Sequence, residues 1–155
     1  MAGFLRFILG LLSGALATYV VGTAVNAQFV INGHDVPVGW DDRFNMTMFD
    51  ISNMLLYFVI IAISFLIAFL IAALLKRVLP NLAHIAYPIA GSAAIGVALG
   101  LMYILFQTVP ISGARSSLGF IAQMLAGGLG GWVFGRILMT KRTPVANPQV
   151  AADAT

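Results

Sequence analysis

The sequence predicts an all-α membrane protein: a bundle of four transmembrane helices, with a short outward-facing β-hairpin between the first two. Three observations predict it. Hydrophobic residues fill 61% of the 155 positions and charged residues only 8%, against about a quarter charged in soluble domains. The apolar residues gather into four runs, about 4–25, 54–75, 83–109 and 118–139, each near the ~20 residues that cross a hydrocarbon core of ~30 Å. No Asp, Glu, Lys or Arg stands in the middle of any run.

The first run has one basic residue, Arg6, near its start, and places Gly10, Gly14, Thr18 and Gly22 at steps of four. Val25-Asn26-Ala27 resembles a small-residue signal-peptidase site. The run is nonetheless longer than the ~7–15 residues of a signal h-region, and its small-residue row suits a retained, packed helix. The segment 26–50 is the one sizeable polar stretch. Within it, Gln28 to Val38 reads as a hairpin turning at Asn32-Gly33, because Asn-Gly supplies the positive φ angles of a type I′ turn. Pro37 assigns its strand to an edge. Trp40 and Phe44 suit the headgroup level, and Asp50 or Ser52 is the expected cap of the next helix.

The second run lacks glycine and ends at Lys76-Arg77. It should expose much of its surface to lipid, with Ser64, Ala68 and Ala72 as a modest small row. Pro80 and Asn81 mark a tight turn, so the second and third helices are antiparallel neighbours. The third run carries Pro88, where a kink is expected, and the small row Ser92, Gly96, Gly100. A polar loop containing Arg115 and Ser116 leads into the fourth run. Residues 1–140 thus form one transmembrane domain, and 141–155, with Pro144 and Pro148, a disordered cytoplasmic tail.

The fourth run holds the most specific pattern, Gly119, Gln123, Gly127, Gly131 and Gly135 along one slowly spiralling helical row. Lipid tails are as apolar as leucine, so helices associate in a membrane largely through close van der Waals packing, which glycine permits. We therefore assign Gly10, Gly14, Gly22, Gly96, Gly100, Gly119, Gln123, Gly127, Gly131 and Gly135 to helix packing or to a partner interface. Gln123 either joins helices through its amide or lines a polar path with Gln107 and Ser92.

Basic residues set the orientation. Arg6, Lys76, Arg77, Arg136, Lys141 and Arg142 fall on one side, Arg43 and Arg115 on the other. The positive-inside rule makes both termini cytoplasmic, and we expect a bacterial inner membrane. The net charge of +3 forms no patch, so no nucleic-acid partner is expected. Absence of cysteine excludes disulfide and thiol chemistry. His34, Asp35, Asp41 and Asp42 carry the atoms of a metal or acid–base site, yet their spacing matches no ligand motif, and they read as a solvated loop. No catalytic, cofactor or metal residue is assigned. Arg115 and Ser116, just before a helix start, are either an anion or lipid-headgroup contact or a structural tie.

Missing intramembrane charge argues against an ion-coupled pump. The expected role is a non-enzymatic accessory, assembly or scaffolding subunit, with membrane lipids and other subunits or a second copy as partners. A small transporter or channel component is the alternative. An outer-face lipid-binding protein or membrane enzyme using His34, the aspartates and Arg115 is the third.

Overall fold

The computed structural model describes residues 2–33, 37–78 and 85–139. His34, Asp35, Pro80, Asn81, His84 and the stretch 141–155 lie outside the described residues. Five α-helices follow in order: α1 (Ala2–Asn32), α2 (Trp40–Asn53), α3 (Leu55–Val78), α4 (Ala86–Phe106) and α5 (Ser117–Met139), with a 3-10 turn at Ser112–Arg115. All but α2 are long and apolar enough to cross a membrane. The chain is an integral membrane protein whose four apolar helices run up and down in one packed bundle.

Among the described residues there is no β-strand, so the expected hairpin is not formed. Gln28 to Asn32 continue α1, where their backbone groups are bonded within the helix. The Asn-Gly pair stops a helix instead of turning a ribbon: the Gly33 N–H reaches back to the Phe29 and Val30 carbonyls at 3.0 and 3.2 Å, closing the last turn. Trp40–Asn53, expected as loop and helix cap, form α2, with Asp41 and Asp42 in its first turn, where carboxylates favour the positive end of the helix dipole. Asp50 and Ser52 lie inside α2 and cap nothing. The break between α2 and α3 is a single residue, Met54.

Pro88 sits in the first turn of α4, where its missing N–H costs no ladder bond. The kink expected from reading the run as starting at 83 has no structural need. α4 ends at Gln107, whose left-handed φ of 54° stops the helix.

α5 is the centre of the packing. Its glycines occupy two faces about 100° apart, and a neighbour closes on each. On one face, a Cβ added at Gly14 of α1 would stand 2.6 Å from the Gly130 carbonyl oxygen. On the other, a Cβ at Gly91 of α4 would collide with the Gly127 carbonyl, and one at Gly131 with the Tyr87 carbonyl. These pairings run in opposite directions along the chain, so α1 and α4 are both antiparallel to α5.

α3 packs less closely and compensates with bulk. Tyr57, Ile61, Phe65 and Phe69 recur every four residues and are all buried. Phe69 stacks on Phe134 of α5 at 4.2 Å between ring centroids, and Phe7 and Tyr87 meet Phe134 edge-on at 5.5 and 4.8 Å. Such pairs add about 0.5–1.5 kcal/mol each beyond buried area.

The glycines differ in what surrounds them, and stability measurements will register it. Gly91→Ala should lower bundle stability by about 1–3 kcal/mol, because its methyl meets backbone that cannot turn aside. Gly100 has nothing within 4 Å of an added Cβ, so Gly100→Ala should be neutral or gain about 0.5–1 kcal/mol of helix preference. Thermal unfolding of the two variants in detergent checks the contrast.

Candidate functional site

Polar side chains inside a membrane bundle are the natural candidates for chemistry, and here they are buried knots between helices. Gln123, fully buried on α5, donates from Nε2 to the Gly22 carbonyl of α1 at 2.8 Å. Its Oε1 accepts from the Tyr57 hydroxyl of α3 at 3.0 Å. One amide thus holds three helices, and the glycine at position 22 makes the approach feasible: a Cβ there would stand 2.7 Å from Gln123 Oε1. One turn deeper, Thr18 donates to the Ala126 carbonyl at 3.2 Å.

Asn26 forms a second knot, near the C-terminal end of α1. Only 5% exposed, it accepts the Gly113 N–H of the 3-10 turn at 2.7 Å and donates to Asp50 of α2 at 3.2 Å. Gly113 lies so close to Asn26 that an added Cβ would meet its Cα at 2.8 Å. Ala27 is buried beside it, so the stretch that resembles a protease site is helical and packed.

The third feature is α2. None of its residues is buried, yet polar bonds pin it along α1. Arg43 donates to Gln28 Oε1 at 2.9 Å and to Asn32 Oδ1 at 3.1 Å, Gln28 donates to Thr47 at 3.3 Å, and the Tyr19 hydroxyl donates to the Ile51 carbonyl. Trp40, Phe44 and Met48 share one exposed stripe at steps of four, and Phe49 is 67% exposed on a different face.

The residues singled out from sequence are dispersed among these features. Gln123, Gln107 and Ser92 do not converge on a path: Gln107 is exposed at the end of α4, and Ser92 faces Gly128. Gly127 and Gly131 meet α4, whereas Gly119 lies against the carbonyl of Gly113. Gly10 touches the Phe134 ring, Gly96 the Met124 side chain and Gly135 the Tyr87 side chain. Ser116 accepts the Gly119 N–H at 3.0 Å, which is the geometry of an N-cap. Arg115 donates to the Val109 carbonyl at 3.0 Å. Asp41 and Asp42 are exposed, and among the described residues no group of three His, Cys, Asp or Glu is placed to hold a metal.

Sequence reasoning did not single out Asn26, Tyr57, Gly91, Gly130 or Phe134. A signal existed for two of them, since Ala126, Gly130 and Phe134 form a second row on the fourth run, one residue out of step with the first. The arrangement defines a small integral membrane protein in which buried Gln123, Thr18 and Asn26 tie its elements together. No family model, curated protein or solved structure matches the chain.

Two threonines on α1 provide an internal test. Among the described residues the fully buried Thr23 hydroxyl has no hydrogen-bond partner, and an unpaired buried hydroxyl costs roughly 1–3 kcal/mol. Thr23→Val should therefore stabilise the bundle or leave it unchanged, while Thr18→Val should cost on the order of 1 kcal/mol. A double-mutant cycle on Tyr57→Phe and Gln123→Leu should return a coupling of about 0.6–1.7 kcal/mol.

Proposed function

We propose that this chain is a non-enzymatic accessory subunit of a membrane complex, and that α2, not the glycine seam, is its contact surface. One observation carries the reading. α2 sinks no side chain fully into the bundle, Ile51 alone of its apolar residues packing partly against the core, yet Arg43, Thr47 and Asp50 hold it in place against α1. Ordering a helix costs conformational entropy, and α2 recovers none of that cost by burying its aromatic rings.

The two exposed faces of α2 have different uses. Trp40, Phe44 and Met48 form a stripe suited to the headgroup level, where Trp and other amphipathic aromatics gather. Phe49 lies about 140° round the helix from the middle of that stripe, so a single lipid surface does not cover both. Exposed Asp42, Asn45, Ser52 and Asn53 surround it. An aromatic anchor in a polar rim is the anatomy of a protein interface. The glycines Gly14, Gly91, Gly127, Gly130 and Gly131 are by contrast already engaged within the bundle.

Sidedness follows from the basic residues. Arg6, Lys76, Arg77 and Arg136 fall at one end of the helices and Arg43 and Arg115 at the other, and the positive-inside rule supports α2 outside with the opposite helix ends in the cytoplasm.

Affinity purification from native membranes in mild detergent tests the proposal. A stoichiometric partner should co-purify with the wild type. Phe49→Ala should weaken that association by about 30-fold or more, the effect of losing an interface anchor, with unchanged thermal stability. A monomer with no stoichiometric partner, or full retention of the partner by the Phe49 variant, defeats it.

A further inference from the structure

Between α3 and α4 lies a groove of about 510 Å³ on the lipid-facing side of the bundle. Its floor is made of alanines, including Ala68, Ala72, Ala90 and Ala94, and of the described residues that line it only Ser64 and Lys76 are polar. Glycines would let the two helices close and larger side chains would fill the space. Alanine does neither, and Ile71 and Val97 stand as exposed rims.

We propose that this groove binds one acyl chain of a phospholipid whose anionic headgroup is held by Lys76. Length decides between a lipid and a partner helix. The groove runs from Ser64 to Lys76 on α3 and from Ala86 to Leu101 on α4, roughly 18–22 Å at the α-helical rise. A transmembrane helix would follow the surface through the whole core of ~30 Å. A chain hanging from one leaflet spans about half of that core, so it fits inside this groove from the Lys76 end with a few ångströms to spare.

Charge decides the headgroup. Lys76 lies at the mouth, beside the helix ends of the basic side. Its Nζ sits over the Tyr87 ring, 4.6 Å from the centroid. Lys76 is the one cation among the described residues that line the groove, and its long flexible stem lets the ammonium turn to a phosphate at this end. A compact cation so placed suits a lipid phosphate carrying net negative charge.

The experiment uses the full chain in nanodiscs made of equal parts phosphatidylglycerol and phosphatidylcholine, followed by native mass spectrometry of the released protein. The wild type should retain one phosphatidylglycerol, preferred about five-fold over phosphatidylcholine, the contribution of one lysine near the surface. Lys76→Gln should bring the preference to about one. Ala93→Phe, at an exposed position on the wall, should lower retention of both lipids, while Gly100→Ala should alter neither.

Equal retention of the two lipids by the wild type, or an undiminished preference in Lys76→Gln, overturns the proposal. Should Ala93→Phe not fold, photo-cross-linking with tail-labelled phosphatidylglycerol reads the same site. Label on Ile71 or Val97 supports the groove, and label confined to other helices overturns it. Capture of a polypeptide by a cross-linker at Ala93→Cys in native membrane also overturns it, in favour of a protein occupant.

Discussion

Close approach of α5 to two neighbours at once is the constraint on which the rest of the structure depends. In lipid, burying apolar side chains against one another adds no hydrophobic driving force, so contact must come from fit. Glycine on two faces of α5 lets backbone atoms of α1 and α4 come within van der Waals range. Only two neighbours can share that intimacy. α3 therefore stands further out, and Tyr57, Ile61, Phe65 and Phe69 bridge the gap with bulk. The apolar groove beside α4 is the remaining consequence of the same inequality, because α3 presents alanine there.

Glycine faces permit close packing but leave sliding open, since one glycine resembles the next. The buried polar groups set the register. Gln123 reaches the Gly22 carbonyl and the Tyr57 hydroxyl together, and burial of these groups makes each bond costly to lose. Asn26 does the same at the other level, tying the 3-10 turn and α2 to α1. Within this chain these amides are ties between elements. The interior polar groups serve the bundle's own cohesion, and the two surfaces proposed to meet other molecules lie at its margins: the exposed faces of α2 at one end and the Lys76 end of the groove at the other.

Much of this was legible along the chain. Hydropathy located the four spans to within a few residues at most ends, because a membrane-spanning helix must be apolar over a fixed length. Small residues at steps of four marked α1 and α5 as helices built for close approach. Asn32-Gly33 shows where legibility failed. The pair signals a break in regular structure but not its kind, and only the partners offered by Arg43 and Thr47 make a helix the better state for Gln28 and Asn32. α2 was missed for a related reason, since its polar face pairs with α1 and its aromatic residues are spread over two sides.

The sequence alone therefore determined the class of protein, the number of spans and the residues able to pack closely, because each follows from composition and spacing within one segment. Tertiary structure decided which glycine faces which helix, as Gly100 shows by facing nothing while Gly91 meets Gly127. It also decided that Gln123 and Asn26 are ties, and that α3 and α4 part where alanine lines them. These outcomes depend on distances between residues far apart in the chain. No local pattern encodes them, because a helix row specifies a surface and only a neighbour specifies what that surface touches.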